Sequence, residues 1–380
     1  MVGRRFDHRL VLLAVVAAPL CAASAPQPPG AIVQLGADVA QGRPLALHIG
    51  GRVVTNGTAP DMRYQRQWPG TYLEARFRGP AVDLAVGPGD VSLRITVDGR
   101  APIALVRPAA ARYRIAAPGT GDHRIRIDVV SESQAGPTSF GGLFAPPGTT
   151  PLAPPPPRRR QIEFIGDSHT VGYGNTATTT DCTQDQVWAT TDTPHGPAGI
   201  TAAHYDADYQ INAISGRGIV RNYDGFAAPT MPQAYPYALL DGKTPERSTG
   251  WHPQVVVFAL GTNDFSTKLK SGERWATRDA LHADYERTYA AFVRQARQRY
   301  PGAFVLLWAT DLANGEIARE ASRVAANLRQ AGDRRVAFVE VDGLHFTGCH
   351  SHPDLADDRT IAATLERVID AQPRVWDRHK

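Results

Sequence analysis

The sequence predicts a two-domain chain: an N-terminal antiparallel β-sandwich of the jelly-roll kind, then a three-layer α/β domain with a parallel, flavodoxin-like sheet. Three observations carry this. Short segments of period-two alternation, broken by Gly and Pro, run from about 44 to 145; a proline run occupies 151–157; beyond it, apolar runs of strand length alternate with helical segments. With 380 residues, 42% hydrophobic and 21% charged, the chain has enough apolar content for two cores and lies outside the disordered, collagen-like and coiled-coil ranges.

Residues 1–25 open with Arg4, Arg5 and Arg9, continue through an apolar run from Leu10 to Leu20, and reach the small-residue site Ala23-Ser24-Ala25. This is the layout of a secretory signal peptide, too short to span a membrane, and it predicts a secreted or periplasmic protein with no membrane partner after cleavage. Leu20 makes Cys21 a poor lipidation site. The leader's three arginines against Asp7 account for half of the formal +4, and Arg158, Arg159 and Arg160 crowd a linker. The domains themselves are then near neutral, which argues against a nucleic-acid partner.

The sandwich is expected within 26–150. Tyr72–Phe77, Val82–Val86, Ser92–Val97 and His123–Val129 alternate as half-buried strands, and Asp98-Gly99 reads as a hairpin turn. Residues 151–160, with Pro151, Pro154 to Pro157 and three arginines, read as a stiff, solvated connector. In 161–380 the strands are Ile162–Ile165, Gln210–Ile214, Val255–Leu260, Phe304–Trp308 and Val336–Val341, with helices near 196–207, 277–299, 315–331 and 355–371. Strands apolar on both faces and alternating with helices form parallel sheets, whose chemistry gathers at the strands' carboxyl ends.

Those ends carry the informative residues. The first strand runs into Gly166-Asp167-Ser168-His169-Thr170-Val171-Gly172-Tyr173-Gly174-Asn175, which sets a serine hydroxyl at the mouth of the sheet with its N–H at a helix start. After the second comes Ser215-Gly216-Arg217-Gly218, where Gly216 offers an N–H unobstructed by a side chain. After the third comes Gly261-Thr262-Asn263-Asp264, with the Asn263 amide as a further donor. After the fifth comes Cys349-His350-Ser351-His352-Pro353, where His352 is the candidate base. Singly these are a helix cap, a turn glycine, a loop asparagine and a surface histidine. Together, each at the end of a buried strand, they are the parts of a serine hydrolase.

The four residues Ser168, Gly216, Asn263 and His352 correspond one by one to the signature of the SGNH, or GDSL-like, hydrolases, which this chain resembles. The GDS-x-T-x-GYGN, SG-x-G, GTND and G-C-x-x-HP blocks behind a β-sandwich look most like family 2 of the carbohydrate esterases, over about residues 40–375. The resemblance implies removal of O-acetyl groups from a polysaccharide or oligosaccharide of acetylxylan or glucomannan type, through an acetyl-serine, with no metal or organic cofactor. It implies Ser168 as nucleophile, His352 as base, and an oxyanion hole of the Ser168 and Gly216 N–H groups with the Asn263 amide. Two departures stand out. His169 replaces a usually apolar residue and makes the floor beside the serine more polar. The places usual for the triad acid hold Cys349 and His350, so either a backbone carbonyl of 349–351 takes the His352 Nδ1 proton, or Asp354 or Asp342 serves as a displaced acid.

With Cys21 in the leader, Cys182 and Cys349 are an even pair in an oxidising compartment. A disulfide tying the serine-side loop to the histidine loop is expected, two free thiols being the alternative. Two rival functions remain. The His345/His350/His352 cluster, with Cys349 and Asp354, suggests a metal-dependent deacetylase, although no H-E-x-x-H or paired C-x-x-C pattern occurs. A non-catalytic glycan-binding protein would use Trp68, Tyr72 and Tyr64 in the sandwich, or Trp188, Tyr173 and Trp251 beyond it, as stacking platforms. Loops 176–196 and 221–250 carry no readable pattern, so the polymer attacked and the oligomeric state are not legible.

Overall fold

The computed structural model describes residues 30–58 and 62–377, so the expected leader and Cys21 lie outside the described residues. In the sandwich, one sheet orders the strands Ile32–Gln34, Ala111–Ala116, Ala81–Val86, Thr138–Ala145, Arg63–Arg66 and Val54–Asn56. The other orders Thr150–Pro151, Tyr72–Arg78, Asp122–Val129, Ser92–Val97 and Ile103–Val106. All these pairings are antiparallel. The alternation works as expected in Ser92–Val97, where Leu93, Ile95 and Val97 point inward and meet Leu84, Ile115 and Phe140 from the facing sheet. Asp98 and Gly99 both take positive φ (53° and 68°), as a two-residue primed turn requires, and Arg100 N–H closes the turn on Val97 C=O at 3.1 Å.

One strand departs from the pattern for a physical reason. Tyr72, Leu73, Glu74 and Ala75 are buried in succession because the outer face of their strand is covered by the second domain. The Tyr72 ring lies 4.9 Å from that of Tyr209 and its hydroxyl donates to Asp208 at 2.6 Å. The connector leaves Ala153, Pro156, Pro157, Arg159 and Arg160 exposed, but Arg158 within it is drawn into the interface, where it pairs with Glu74 (2.9 Å), Asp206 (3.1 Å) and Asp208 (2.9 Å). Trp68 and Tyr72 are fully buried, with Trp68 Nε1 donating to Tyr237 C=O at 3.0 Å, so they weld the domains and offer no face to a sugar. Trp251 is also buried and donates to Glu163 at 3.2 Å. Tyr64 packs half-buried against the sandwich core.

The second domain is a five-stranded parallel sheet in the order Ala207–Ala213, Arg160–Gly166, Val255–Ala259, Phe304–Thr310, Val336–Val341. Helices Arg278–Arg299 and Glu316–Gln330 cover one face, Pro197–His204 and Leu355–Asp370 the other. Because successive side chains point to opposite faces, Ile165, Phe258 and Leu307 enter one core while Phe164, Val257 and Leu306 enter the other. Gly166 is in register with both Ala213 and Ala259, so three strands end side by side. That is the switch point of a doubly wound sheet, where such folds bind ligands.

Candidate active site

Asp167 caps the one-turn helix Ser168–Val171, its side chain accepting the His169 N–H at 3.1 Å. Ser168 therefore opens the helix and its own N–H has no intrahelical acceptor. His352 Nε2 lies 2.9 Å from Ser168 Oγ, and His352 Nδ1 lies 2.9 Å from the Cys349 carbonyl oxygen. A carbonyl only accepts, so Nδ1 carries the proton and the bare Nε2 accepts from the serine hydroxyl. The short turn Cys349–Ser351 makes this possible: His350 and Ser351 both take left-handed φ (52° and 56°), which folds the Cys349 carbonyl back toward the imidazole.

Neither carboxylate considered as a displaced acid reaches the imidazole's Nδ1. Asp354 caps helix Leu355–Asp370, with Oδ1 accepting Ala356 N–H (2.7 Å) and Asp357 N–H (2.9 Å) and Oδ2 accepting the Thr347 hydroxyl. Asp342 is exposed just beyond the fifth strand. His169 is buried, its ring edge-on to His352 with centroids 5.6 Å apart and 6.1 Å from Phe346. Burial pushes the His169 pKa down to about 3, with His352 adding to the effect, so this floor is polar but uncharged. Burial also pushes His352 down to about 4, which keeps its imidazole neutral at ordinary pH.

Gly216 sits at φ 83°, and a Cβ there would come within 3.2 Å of Phe226. The Asn263 amide donates to Asp167 Oδ2 (3.1 Å) and to the Arg217 carbonyl (2.9 Å), so both its N–H groups are engaged at rest. A negatively charged oxygen placed beside this amide would compete with the neutral Arg217 carbonyl for one of them, and charge-assisted hydrogen bonds are roughly twice as strong as neutral ones. The structure thus brings Ser168, His352, Gly216 and Asn263 to one end of the sheet.

Residues 49–155 match the carbohydrate esterase 2 N-terminal family and residues 164–363 the GDSL-like lipase/acylhydrolase family. An acetylxylan esterase / glucomannan deacetylase of Cellvibrio japonicus (strain Ueda107) is 40% identical over 336 residues, 88% of this chain and 93% of the relative. The chain belongs to family 2 of the carbohydrate esterases. Among solved structures, a carbohydrate esterase whose active site displays divergent catalytic and non-catalytic binding functions superposes with a TM-score of 0.83 at 40% identity, over 88% of this chain and 100% of that one. A family two carbohydrate esterase from Clostridium thermocellum, in complex with cellohexaose, gives 0.73 at 26% identity, over 86% and 98%. This family 2 member is accordingly a carboxylic ester hydrolase of the acetylxylan-esterase kind.

Cys182 and Cys349 form a disulfide in this esterase, with Cα atoms 5.5 Å apart. Gly174 makes room for it: its φ is 59°, and a Cβ there would lie 2.4 Å from Cys349 Cβ. The three histidines of the metal alternative face different partners. His345 is exposed and turned to Asp357 (3.4 Å), His350 Nε2 donates to Cys182 C=O (2.7 Å), and His352 faces Ser168. Among the described residues no group of three or more His, Cys, Asp or Glu side chains is arranged to hold a metal ion.

Two supporting residues, Asp264 and Asn175, were not singled out by sequence reasoning, although their motifs were. Asp264 gathers the N–H groups of Ile219 (2.9 Å), Val220 (2.8 Å) and Arg221 (2.9 Å), fixing the loop that follows Gly216. Asn175 donates to Asp358 (2.7 Å) and accepts Asp192 N–H (2.9 Å). The same residue's carbonyl takes Leu355 N–H (3.1 Å), joining the serine block to the histidine side. Tyr173 donates to His350 Nδ1 at 3.0 Å, and its ring lies 4.3 Å from that of His352. Tyr173 also borders a cleft of about 500 Å³ between the domains, together with Trp188, Arg107, Glu132 and Gln134. The Trp188 ring carries the Arg107 guanidinium 4.3 Å from its centroid.

Proposed function

We propose that this enzyme removes O-acetyl groups from polysaccharides or oligosaccharides of the acetylxylan and glucomannan type, through a Ser168–His352 dyad and an acetyl-serine. The observation that carries the reading is the ordered chain Ser168 Oγ, His352 Nε2, His352 Nδ1, Cys349 C=O, with both contacts at 2.9 Å. Ser168 Oγ attacks the acetyl carbonyl while His352 Nε2 takes its proton. The negative oxygen is held by the Ser168 and Gly216 N–H groups and the Asn263 amide. The sugar hydroxyl leaves with the proton returned by His352, and water then attacks the acetyl-serine by the same route. The Cys349 carbonyl fixes the tautomer, the task an aspartate performs in a triad.

The substrate class is supported by the names of the relatives. Export belongs to the same proposal, since the basic and apolar leader expected over 1–25 and the Cys182–Cys349 bridge both suit an oxidising compartment. The test is acetate release from acetylated xylan, acetylated glucomannan, O-acetylated peptidoglycan and a small aryl acetate. Release from the first two, abolished by about 10⁵-fold or more in Ser168→Ala, is expected. Release from the aryl acetate alone would overturn the polysaccharide assignment.

A further inference from the structure

The sandwich reaches into the oxyanion side of the site. Ser215 N–H donates to Glu132 Oε1 at 2.8 Å, and Gln134 Nε2 donates to Ser215 C=O at 3.1 Å. Gln134 Nε2 also lies 3.1 Å from Glu132 Oε1, so the two side chains brace each other. Both come from the loop between strands Asp122–Val129 and Thr138–Ala145, more than 80 residues before Ser215. That loop is itself pinned from beneath. The fully buried Arg66 donates to Ser133 Oγ (2.6 Å), Thr138 Oγ1 (2.8 Å) and Trp68 C=O (3.2 Å), while Ser131 Oγ accepts Ser92 N–H (3.0 Å).

The Ser215 carbonyl and the Gly216 N–H belong to one peptide unit. A trans peptide is planar, with its C=O and N–H pointing in opposite directions, so holding the oxygen fixes where the N–H aims. Glycine at a left-handed φ of 83° would otherwise let this plane rock. Donation into the carbonyl also polarises the amide and strengthens its N–H as a donor. We propose that Glu132 and Gln134 are positioning residues for the reaction, the sandwich domain supplying the clamp that aims the Gly216 N–H at the developing oxyanion. This rests on the reading of Gly216 as an oxyanion donor given above, and it gives the sandwich a role in the chemistry.

The experiment compares Glu132→Ala, Gln134→Ala, Glu132→Gln and Asn263→Ala in the full chain. It measures kcat and KM on an aryl acetate, the melting temperature, and the rate of inactivation by an aryl phosphonate ester, whose tetrahedral oxygen occupies the oxyanion position. Gln134→Ala and Glu132→Ala are expected to lower kcat by about 10- to 100-fold with KM within about twofold, and to slow phosphonylation by the same factor. Glu132→Gln keeps an oxygen to accept Ser215 N–H and is expected to restore most of the rate. Wild-type kcat in both alanine variants, or a fall in melting temperature without a fall in kcat, overturns the inference. Asn263→Ala separates the two levels: a loss of about 100-fold or more there, with the sandwich variants unaffected, leaves the oxyanion hole standing and removes only the clamp. No loss in Asn263→Ala removes the oxyanion reading itself.

Discussion

His352 receives its orientation from a backbone carbonyl, and two consequences follow at the scale of single residues. Burial holds its pKa at about 4, against an ordinary 6.5, and only the neutral ring accepts the serine proton. Activity is lost as pH falls through the pKa and the ring becomes protonated, so kcat/KM should show an acidic limb centred near pH 4. A limb near 6.5 would mean that the imidazole is solvated in the working enzyme. The Cys349 carbonyl also leaves no task for a carboxylate. Asp354→Asn, which retains a capping side chain, should change the rate by no more than about twofold, as expected for a substitution outside any catalytic contact. A fall of about 10⁴-fold in stopped assays would instead mark Asp354 as a triad acid. Ser168, Gly216, Asn263 and His352 were legible in sequence because each follows an apolar strand in a short motif. The choice between dyad and triad was not, because it turns on the left-handed backbone of His350 and Ser351, which no side-chain pattern announces.

At the scale of elements, the serine and histidine sides meet through two loops far apart in the chain. The Cys182–Cys349 bridge spans 167 residues, and on the chain-entropy account a loop of that length is worth about 5 kcal/mol at most. Cys349 supplies both a sulfur to the bridge and the carbonyl under His352, so reduction should loosen the base before the fold opens. Mild reductant is expected to lower kcat while the far-ultraviolet circular dichroism stays native; equal kcat in the two redox states would show that the turn holds without the bridge. The four helices expected near 196–207, 277–299, 315–331 and 355–371 lie within about three residues of those bounds, at Pro197–His204, Arg278–Arg299, Glu316–Gln330 and Leu355–Asp370. Helix Gln184–Thr190 was missed because Val187 is its one buried residue and seven residues present no stripe, although Thr183 and Gln186 form a capping box visible in the sequence.

For the whole molecule, the sequence separates sandwich from layer fold and reads the proline run between them as a stiff, solvated connector. The alternation of Tyr72–Phe77 gave no warning that its outer face is covered, because Glu74 reads as a solvent residue until Arg124, Arg126 and Arg158 are found around it. The two domains are packed together, with a cleft between them and the sandwich side chains Glu132 and Gln134 hydrogen-bonded to Ser215, just before Gly216. Charge fits that arrangement: Arg158 is neutralised in the interface by Glu74 and Asp208. The central claim, acetyl transfer through Ser168 with His352 as base, is tested most directly by acid-quenching the enzyme during turnover of an aryl acetate and mapping the peptides by mass spectrometry. A single acetyl group on Ser168, absent from His352→Ala under the same conditions, is the predicted result. Turnover with no acetyl on Ser168 at any quench time, or with acetyl on another residue, would contradict it.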